Sequence, residues 1–138
     1  MLQHDHMMLR SELVQALMET VNDESRLTLR ADYLAIWHKL FATLSPLIGH
    51  DQVQILFMRS LDAGRHEIPW LPIVYPQGVC DSPLILFESV SMRQTESQVQ
   101  AATRSLLSTY IDLLFALIGT TLTVQFVCNC AQNAPKTN

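Results

Sequence analysis

One short stretch that occurs twice decides the fold, first as Leu44-Ser45-Pro46-Leu47-Ile48-Gly49 and then as Leu114-Phe115-Ala116-Leu117-Ile118-Gly119. Both copies have the form Leu-x-x-Leu-Ile-Gly, and they are 70 residues apart. At the same offset, apolar residues also coincide upstream: Ile36, Trp37, Leu40 and Phe41 match Leu106, Leu107, Tyr110 and Ile111. Because self-similarity at a fixed offset indicates a repeated structural unit, the sequence allows two pseudo-repeated helix-glycine-helix halves.

Apolar residues recur at intervals of three and four on both sides of these stretches, which is the spacing of one face of an α-helix. The glycines predict breaks between consecutive helices, and Pro46 predicts that its helix kinks or ends there. Helices are predicted over about 6–21, 26–45, 51–63, 83–92, 96–118 and 120–130. The sequence therefore predicts an all-α, single-domain bundle of about five to six helices over residues 1–138, with 1–5 and 131–138 frayed.

Local signals place several of the helix ends. Thr95 and Gln98 have the spacing of a capping box, and Ser82-Pro83 is typical of an N-cap followed by a first helical residue. Asp51 is the predicted N-cap of the third helix, and the polar run 22–25 is the predicted break before the second. Residues 64–83 contain four of the six prolines, which predicts an irregular strap across the bundle.

Composition limits the classes of partner. Apolar residues make up 49% of the chain and charged residues only 16%, against about 25% in typical domains. So little charge favours an apolar surface that is covered by a second copy of the chain. The net charge is −4 and the nine Lys and Arg residues are scattered, so nucleic-acid binding is disfavoured.

The N-terminal pattern and the cysteines predict a cellular location. The N-terminus lacks the pattern of a secretory signal, and the three cysteines are an odd number, so we expect free thiols in a reducing cytoplasm. Leu106 to Cys128 is about long enough to cross a bilayer. However, it contains Asp112 and a central Gly119, and no cluster of Lys or Arg flanks it. A buried core helix, and no membrane span, is the better interpretation.

A series of motifs resembles a group of uncharacterised small bacterial helical proteins. The motifs are Leu-Ile-Gly at 47–49, Arg-Ser-Leu at 59–61, Pro-Trp-Leu at 69–71, and Leu-Ile-Gly at 117–119 followed by Leu-Thr at 122–123. The resemblance covers about residues 44–127 and departs at the carboxyl end, where Cys128-Asn129-Cys130-Ala131 replaces a basic and aromatic run. It implies a helical fold and a bacterial cytoplasmic protein, and it implies no activity.

No catalytic, metal-binding or cofactor-binding set is predicted. The His-Asp-His run at 4–6 lacks further ligands from other helices, and a metal-dependent helical hydrolase is the most distant interpretation. Cys128 and Cys130 on one helix point about 200° apart and cannot hold one ion. The pairs at 50–51 and 66–67 combine His with a carboxylate, the groups of general-base catalysis, although adjacent residues point in different directions.

Two functional hypotheses follow. The favoured one is a non-enzymatic regulatory or adaptor module, a helical homodimer that offers an apolar surface to a protein partner. The alternative is a small-molecule sensor or enzyme with a pocket between the two halves, where helical bundles often bind ligands. The candidate pocket residues are Trp37, Phe41, Met58 and Tyr110.

Arg59 and Asp112 are candidates for a structural ion pair. Asp112 lies beside the apolar stripe of the most hydrophobic helix, and Arg59 follows Phe57 and Met58 on another helix. Because an unpaired buried charge costs several kcal/mol, we expect these two side chains to pair across a helix interface. Removing the Asp112 carboxylate is then expected to destabilise the fold or the dimer.

Overall fold

The computed structural model describes the backbone of residues 2–20, 29–73 and 82–132, and the side chains of residues 9–20, 32–73 and 82–131. Within these ranges there is no strand, and the six helices are α1 (Leu2–Met18), α2 (Leu29–Ile48), α3 (His50–Gly64), α4 (Pro83–Ser91), α5 (Glu96–Ile118) and α6 (Thr120–Gln132). The predicted all-α, single-domain bundle is confirmed. The predicted polar break at 22–25 and the end of the chain at 133–138 lie outside the described residues, while residues 131–132, which are predicted to fray, belong to α6.

Two helices differ from their predicted bounds by three residues or more. Helix α1 begins at Leu2, four residues before the predicted start and inside the segment expected to fray. Helix α2 does not end at Pro46 but continues to Ile48. Pro46 lies in the last turn and removes only the hydrogen bond of its own nitrogen, whereas the Gly49 N–H still donates to the Ser45 carbonyl at 2.8 Å.

The predicted caps are confirmed for α4 and α5 and wrong for α3. The Ser82 hydroxyl accepts from the Ile85 amide at 3.3 Å, and Thr95 and Gln98 form the reciprocal capping box. Helix α3 begins at His50, so Gly49 takes the N-cap position, without a side-chain cap. Asp51 therefore lies in the first turn, where its negative charge interacts favourably with the helix dipole.

Gly49 and Gly119 each join two helices as a single residue. Their backbones are nearly identical, with φ 97° and ψ 146° at Gly49 and φ 90° and ψ 163° at Gly119. Side chains other than hydrogen are strained at such angles. No atom lies within 4 Å of an added Cβ at either position, so the backbone and not the available space requires glycine.

Helix packing relates the two halves of the chain, α1–α3 and α4–α6. Helices α2 and α5 pack together, α3 packs on α5, and α6 packs on α2. Helix α1 contacts α5 and α6, while α4 contacts α2 and α3. Each half therefore places its first and last helices on the other half, which is the reciprocal arrangement expected of an internal two-fold relation.

Residues that are 70 positions apart in the sequence are often both buried. The pairs in which both members are buried are Leu13/Pro83, Val14/Leu84, Leu17/Phe87, Tyr33/Thr103, Ile36/Leu106, Trp37/Leu107, Leu40/Tyr110, Phe41/Ile111, Leu44/Leu114, Val53/Thr123, Phe57/Val127 and Ser60/Cys130. The first three pairs match α1 with α4, which the repeated stretches alone did not predict. The corresponding unit is therefore three helices long rather than two.

Aromatic rings fill the centre, where the halves meet. Trp37 is fully buried and lies edge-on to Phe57 and Tyr110, with ring centroids 4.8 Å and 5.6 Å away. Phe41 stacks on Tyr110 at 6.0 Å, and Phe87 of α4 contacts Phe57 at 5.8 Å. Large ring areas removed from water make this cluster a main source of fold stability.

The segment after α3 packs on the bundle as far as it is described, to Ile73. Leu71 is buried against Gly64, where an added Cβ would come within 2.9 Å of Leu71 Cδ1. Trp70 stacks on Phe87 with a centroid distance of 6.2 Å. This part matches the predicted strap, while residues 74–81 lie outside the described ranges.

Helix α5 is the only described helix that is long and apolar enough to cross a membrane. Of the most apolar 18-residue stretch of α5, 44% is buried inside the bundle. The buried face packs against α1, α2, α3 and α6. A core helix passes the same test of length and composition, and the packing of α5 supports that interpretation.

Candidate binding groove

An open groove lies between α2 and α4. Its volume is about 440 Å³, and it is lined by Leu34, Ala35, His38, Ile85, Glu88, Ser89 and Met92. Two of these side chains are large, apolar and exposed, Ile85 at 48% and Met92 at 66%. An apolar concave surface with a few polar groups is the usual form of a binding site.

One polar contact crosses the groove. The His38 Nε2 atom of α2 lies within hydrogen-bond distance of the Glu88 Oε2 atom of α4. The side chains are 60% and 28% exposed, so the contact is screened by water and contributes little to stability. It leaves the groove with one basic and one acidic group beside an apolar floor, and with the Ser89 hydroxyl next to Glu88 on α4.

The corresponding place in the other half has different chemistry. At the 70-residue offset, Leu34 and Ile85 correspond to Arg104 and Gln15. The Arg104 Nη1 atom donates to the Gln15 Oε1 atom at 3.2 Å, and Gln15 donates to Glu19 at 3.1 Å. The α1–α5 surface thus carries polar side chains joined by hydrogen bonds, whereas the α2–α4 surface is mostly apolar.

A second surface depression, of about 430 Å³, lies along α5. Its lining is polar except for one alanine: Ser97, Gln100, Ala101, Arg104, Ser105 and Ser108. Flexible polar side chains on one helix do not define a preformed site. The α2–α4 groove is therefore the better candidate of the two.

The structure brings three of the four predicted pocket residues together. Trp37, Phe41 and Tyr110 contact one another in the core, while Met58 is half-buried on α3. Neither described depression is lined by any of the four. The rings occupy the space between the halves themselves, which is the arrangement of a packed core.

The aromatic cluster contains two polar side-chain atoms that differ in whether they have a hydrogen-bond partner. The Tyr110 hydroxyl donates to the Val53 carbonyl at 3.0 Å, and burial raises the pKa of Tyr110 well above its usual value. The Trp37 Nε1 atom is buried and has no hydrogen-bond partner in the part of the chain that the structure describes. A buried N–H without a partner costs about 1–3 kcal/mol.

The predicted pairing of Arg59 with Asp112 is not formed. Asp112 instead accepts from Arg10 of α1, with 2.5 Å between Oδ2 and Nη1. Asp112 faces α1 because α1 packs against α5. Arg59 lies two positions after the buried Phe57, about 200° round the helix, so its side chain is exposed, and no ion pair of Arg59 is recorded among the described residues.

Cys130 is a free, buried thiol that faces α2. Burial raises its pKa, and the charge of Lys39 and a hydrogen bond with Thr43 oppose that shift. Cys128 is half-buried on the same helix, and Cys80 lies outside the described residues. The thiol is held mainly in its neutral, unreactive form.

Other candidate residues are dispersed. His50, Asp51, His66 and Glu67 are all exposed, and no hydrogen bond joins either His to its neighbouring carboxylate in the described ranges. Among the described residues there is no group of three side chains that could hold a metal ion. The side chains of the His-Asp-His run at 4–6 lie outside those ranges.

The sequence reasoning missed the groove. The pattern of α4 predicts a helix over 83–92 but does not indicate which face of it is exposed. Helix α4 reads Pro-Leu-Ile-Leu-Phe-Glu-Ser-Val-Ser, which is apolar on more than one side. Since one apolar face suffices for packing, the excess was a signal that α4 exposes part of its apolar surface.

Comparison of the chain with protein-family models, with curated proteins and with solved structures found no match in any of the three. The resemblance to small bacterial helical proteins stays a prediction from the sequence motifs. Functional inference for this chain comes from its own residues and their packing.

Proposed function

We propose that the protein is a non-enzymatic, cytoplasmic regulatory or adaptor module, a homodimer that binds proteins through an apolar helical surface. The observation that supports this function is the open α2–α4 groove with its exposed Ile85 and Met92. Methionine on an exposed apolar surface suits contact with a protein, because its flexible side chain adapts to the shape of a partner.

The composition supports the same function. Only 16% of the residues are charged, and depletion of charge in the core of a surface patch distinguishes protein interfaces from ordinary surface. Further large apolar side chains are exposed elsewhere among the described residues, on α2, α3, α5, α6 and the segment after α3: Leu47, Ile55, Ile73, Leu117 and Leu122. A protein partner can bury such side chains.

The test is the mass of the purified full chain in solution, combined with binding of a dye that reports exposed apolar surface. We expect twice the mass of the 15.6 kDa chain by light scattering at micromolar concentration, and dye fluorescence that rises on dilution as dimers dissociate. A monomer that binds no dye would contradict the proposal.

A second candidate function is binding of a small molecule between the halves, which requires the packed rings to move apart. The observation that favours it is the Trp37 indole N–H, which is buried without a partner beside Phe41 and Tyr110. Native mass spectrometry of purified protein should then show a mass above that of the chain. The same mass as the bare chain, and Trp37 fluorescence that does not respond to cell-extract metabolites in a Trp70→Phe background, would contradict this function.

A further inference from the structure

Helix α4 is the least enclosed helix of the described bundle. It has nine residues and packs mainly on α2 and α3, whereas α1, at the corresponding place in the other half, has 17 residues and packs on α2, α5 and α6. Four residues of α4 are buried, namely Pro83, Leu84, Phe87 and Ser91. Because a segment with few buried contacts opens at a smaller cost in free energy than the surrounding core, α4 is the first candidate for local opening.

The terminal hydrogen bonds of α4 are made within or next to the helix itself. At its start the Ser82 hydroxyl accepts from the Ile85 amide, and at its end the amides of the next turn donate to carbonyls of α4. Helix α5 begins with its own capping box, formed by Thr95 and Gln98. Neither helix depends on the other for these bonds, so α4 can move as an intact helix about the turn at 92–95.

One aromatic side chain is the main attachment of α4 to the bundle. Phe87 is fully buried, with Phe57 of α3 edge-on at 5.8 Å and Trp70 stacked on it at 6.2 Å. The contact between His38 and Glu88 also joins α4 to α2, but water screens it and it is weak. Opening of α4 therefore requires mainly that one ring is withdrawn from between two others.

The closed position of α4 also leaves a polar group without a partner. The Ser91 hydroxyl is buried and has no hydrogen-bond partner in the part of the chain that the structure describes. Ser60, an equally buried serine of α3, donates instead to the Leu56 carbonyl at 2.9 Å. Water can bind the Ser91 hydroxyl once α4 leaves the bundle, so the burial of this group lowers the cost of opening.

The segment that contains Trp70 is anchored on α3 rather than on α4. Leu71 is buried against Gly64, and the Arg65 Nη1 atom donates to the Pro72 carbonyl at 2.9 Å. These contacts do not involve α4, so they can persist when α4 moves. Opening then exposes the side of the aromatic cluster that Phe87 covers.

We propose that α4 is a lid on the aromatic cluster. It turns about 92–95 as an intact helix, withdraws Phe87 from between Phe57 and Trp70, and opens while the other described helices stay folded. The lid does not depend on the homodimer and goes beyond the proposed function. For the second candidate function it is the route by which a small molecule reaches Trp37, whose buried N–H requires a hydrogen-bond acceptor on that molecule.

Ser91→Cys tests the lid in the full chain, and Ser60→Cys is the matched control. Both serines are fully buried on helices, and a buried thiol reacts only when it becomes exposed. N-ethylmaleimide should label the thiol of Ser91→Cys about 100-fold faster than that of Ser60→Cys, because only the first is exposed by local opening. Fragment-ion mass spectrometry assigns the label, and the buried Cys130 of α6 reports global unfolding in both variants.

Hydrogen exchange of the wild-type chain, followed by mass spectrometry, is a second test. Relative to their intrinsic rates, the amides of α4 should exchange about 100-fold faster than those in the middle of α5. Val14→Ala, in the buried face of α1, should accelerate exchange of α5 by about tenfold, since it destabilises the whole bundle. It should leave exchange of α4 within about threefold, because opening the lid does not disturb α1.

Equal labelling of the two introduced thiols overturns the lid, as does equal protection of α4 and α5 in the wild type. Equal acceleration of α4 and α5 by Val14→Ala does the same, because α4 then opens only together with the whole bundle. If Ser91→Cys does not fold, exchange of the wild type decides. The mass of the chain in solution is a separate measurement, so failure of the lid and failure of the homodimer are distinguished.

Discussion

The two halves of this chain share a frame and differ in what covers it. Helices α1–α3 and α4–α6 have matching burial at a 70-residue offset, equivalent glycine junctions and reciprocal packing. The surface between the outer helix and the middle helix carries hydrogen-bonded polar side chains in one case, α1–α5, and mostly apolar side chains beside the His38–Glu88 contact in the other, α2–α4. The difference shows that the core pattern determines the architecture while the outer positions are free to acquire a function.

The largest effect should come from truncating the core at equivalent places. Trp37→Ala removes the ring that contacts Phe57 and Tyr110, and Leu107→Ala alters the corresponding position in the other half. We expect losses in the free energy of unfolding of about 4 and about 3 kcal/mol, measured by urea denaturation followed by circular dichroism. A loss below about 1 kcal/mol for Trp37→Ala would show that the aromatic cluster is loosely packed.

Replacing either junction glycine with alanine should lower the free energy of unfolding by the same amount. Gly49→Ala and Gly119→Ala each place a methyl group on a backbone with φ near +90°, where there is space but the conformation is unfavourable. Each should cost about 1–2 kcal/mol in the same urea titration, and the two values should agree within about 0.5 kcal/mol. If one substitution is neutral, the two junctions are not energetically equivalent.

Tyr110 breaks the symmetry of the core, because Leu40 occupies its equivalent position. Tyr110→Phe removes the hydrogen bond to the Val53 carbonyl and should cost about 1 kcal/mol at pH 7. Burial raises the pKa of Tyr110 in the folded state, so its neutral form stabilises the fold fully below the ordinary tyrosine pKa of about 10.

Above about pH 10 the unfolded chain releases this proton while the folded chain retains it, and stability falls as the pH rises. Unfolding free energies measured between pH 8 and 11 should therefore decrease more steeply for the wild type than for Tyr110→Phe. Parallel curves would contradict a buried, neutral Tyr110.

The smallest effect is expected at the outer contacts. Arg10 and Asp112 join α1 to α5 with side chains 29% and 49% exposed, so a double-mutant cycle with Arg10→Ala and Asp112→Ala should give a coupling below about 1 kcal/mol. His38 and Glu88 join the equivalent helices α2 and α4 and should give a similarly small value. A coupling above about 2 kcal/mol at either pair would contradict screening by solvent.

Local chemistry made part of the fold predictable from sequence. The capping box at Thr95, the cap at Ser82 and the breaks at Gly49 and Gly119 depend on residues close in the chain, and the structure has them where expected. Helix α2 continues past Pro46 because a proline in the last turn costs only one backbone hydrogen bond. The general rule that proline ends a helix does not distinguish this position.

Contacts between distant residues could not be predicted in the same way. The partner of Asp112 depends on which helix packs against α5, and sequence spacing does not contain that information. The groove depends on α4 lying beside α2 and on Ile85 pointing away from the core. The aromatic candidates Trp37, Phe41 and Tyr110 were correctly grouped by their spacing, but apolar spacing alone does not separate a pocket wall from a filled core.

The reciprocal placement of α3 and α6 has a consequence for how stability depends on concentration. Helix α3 packs on α5 as well as on α2, and α6 packs on α1 and α2 as well as on α5, so each half completes the core of the other. The chain is, in effect, two mutually dependent subunits joined by a covalent link, and the link holds their local concentration at a fixed, high value. Dilution therefore does not loosen the association between the two halves within a chain.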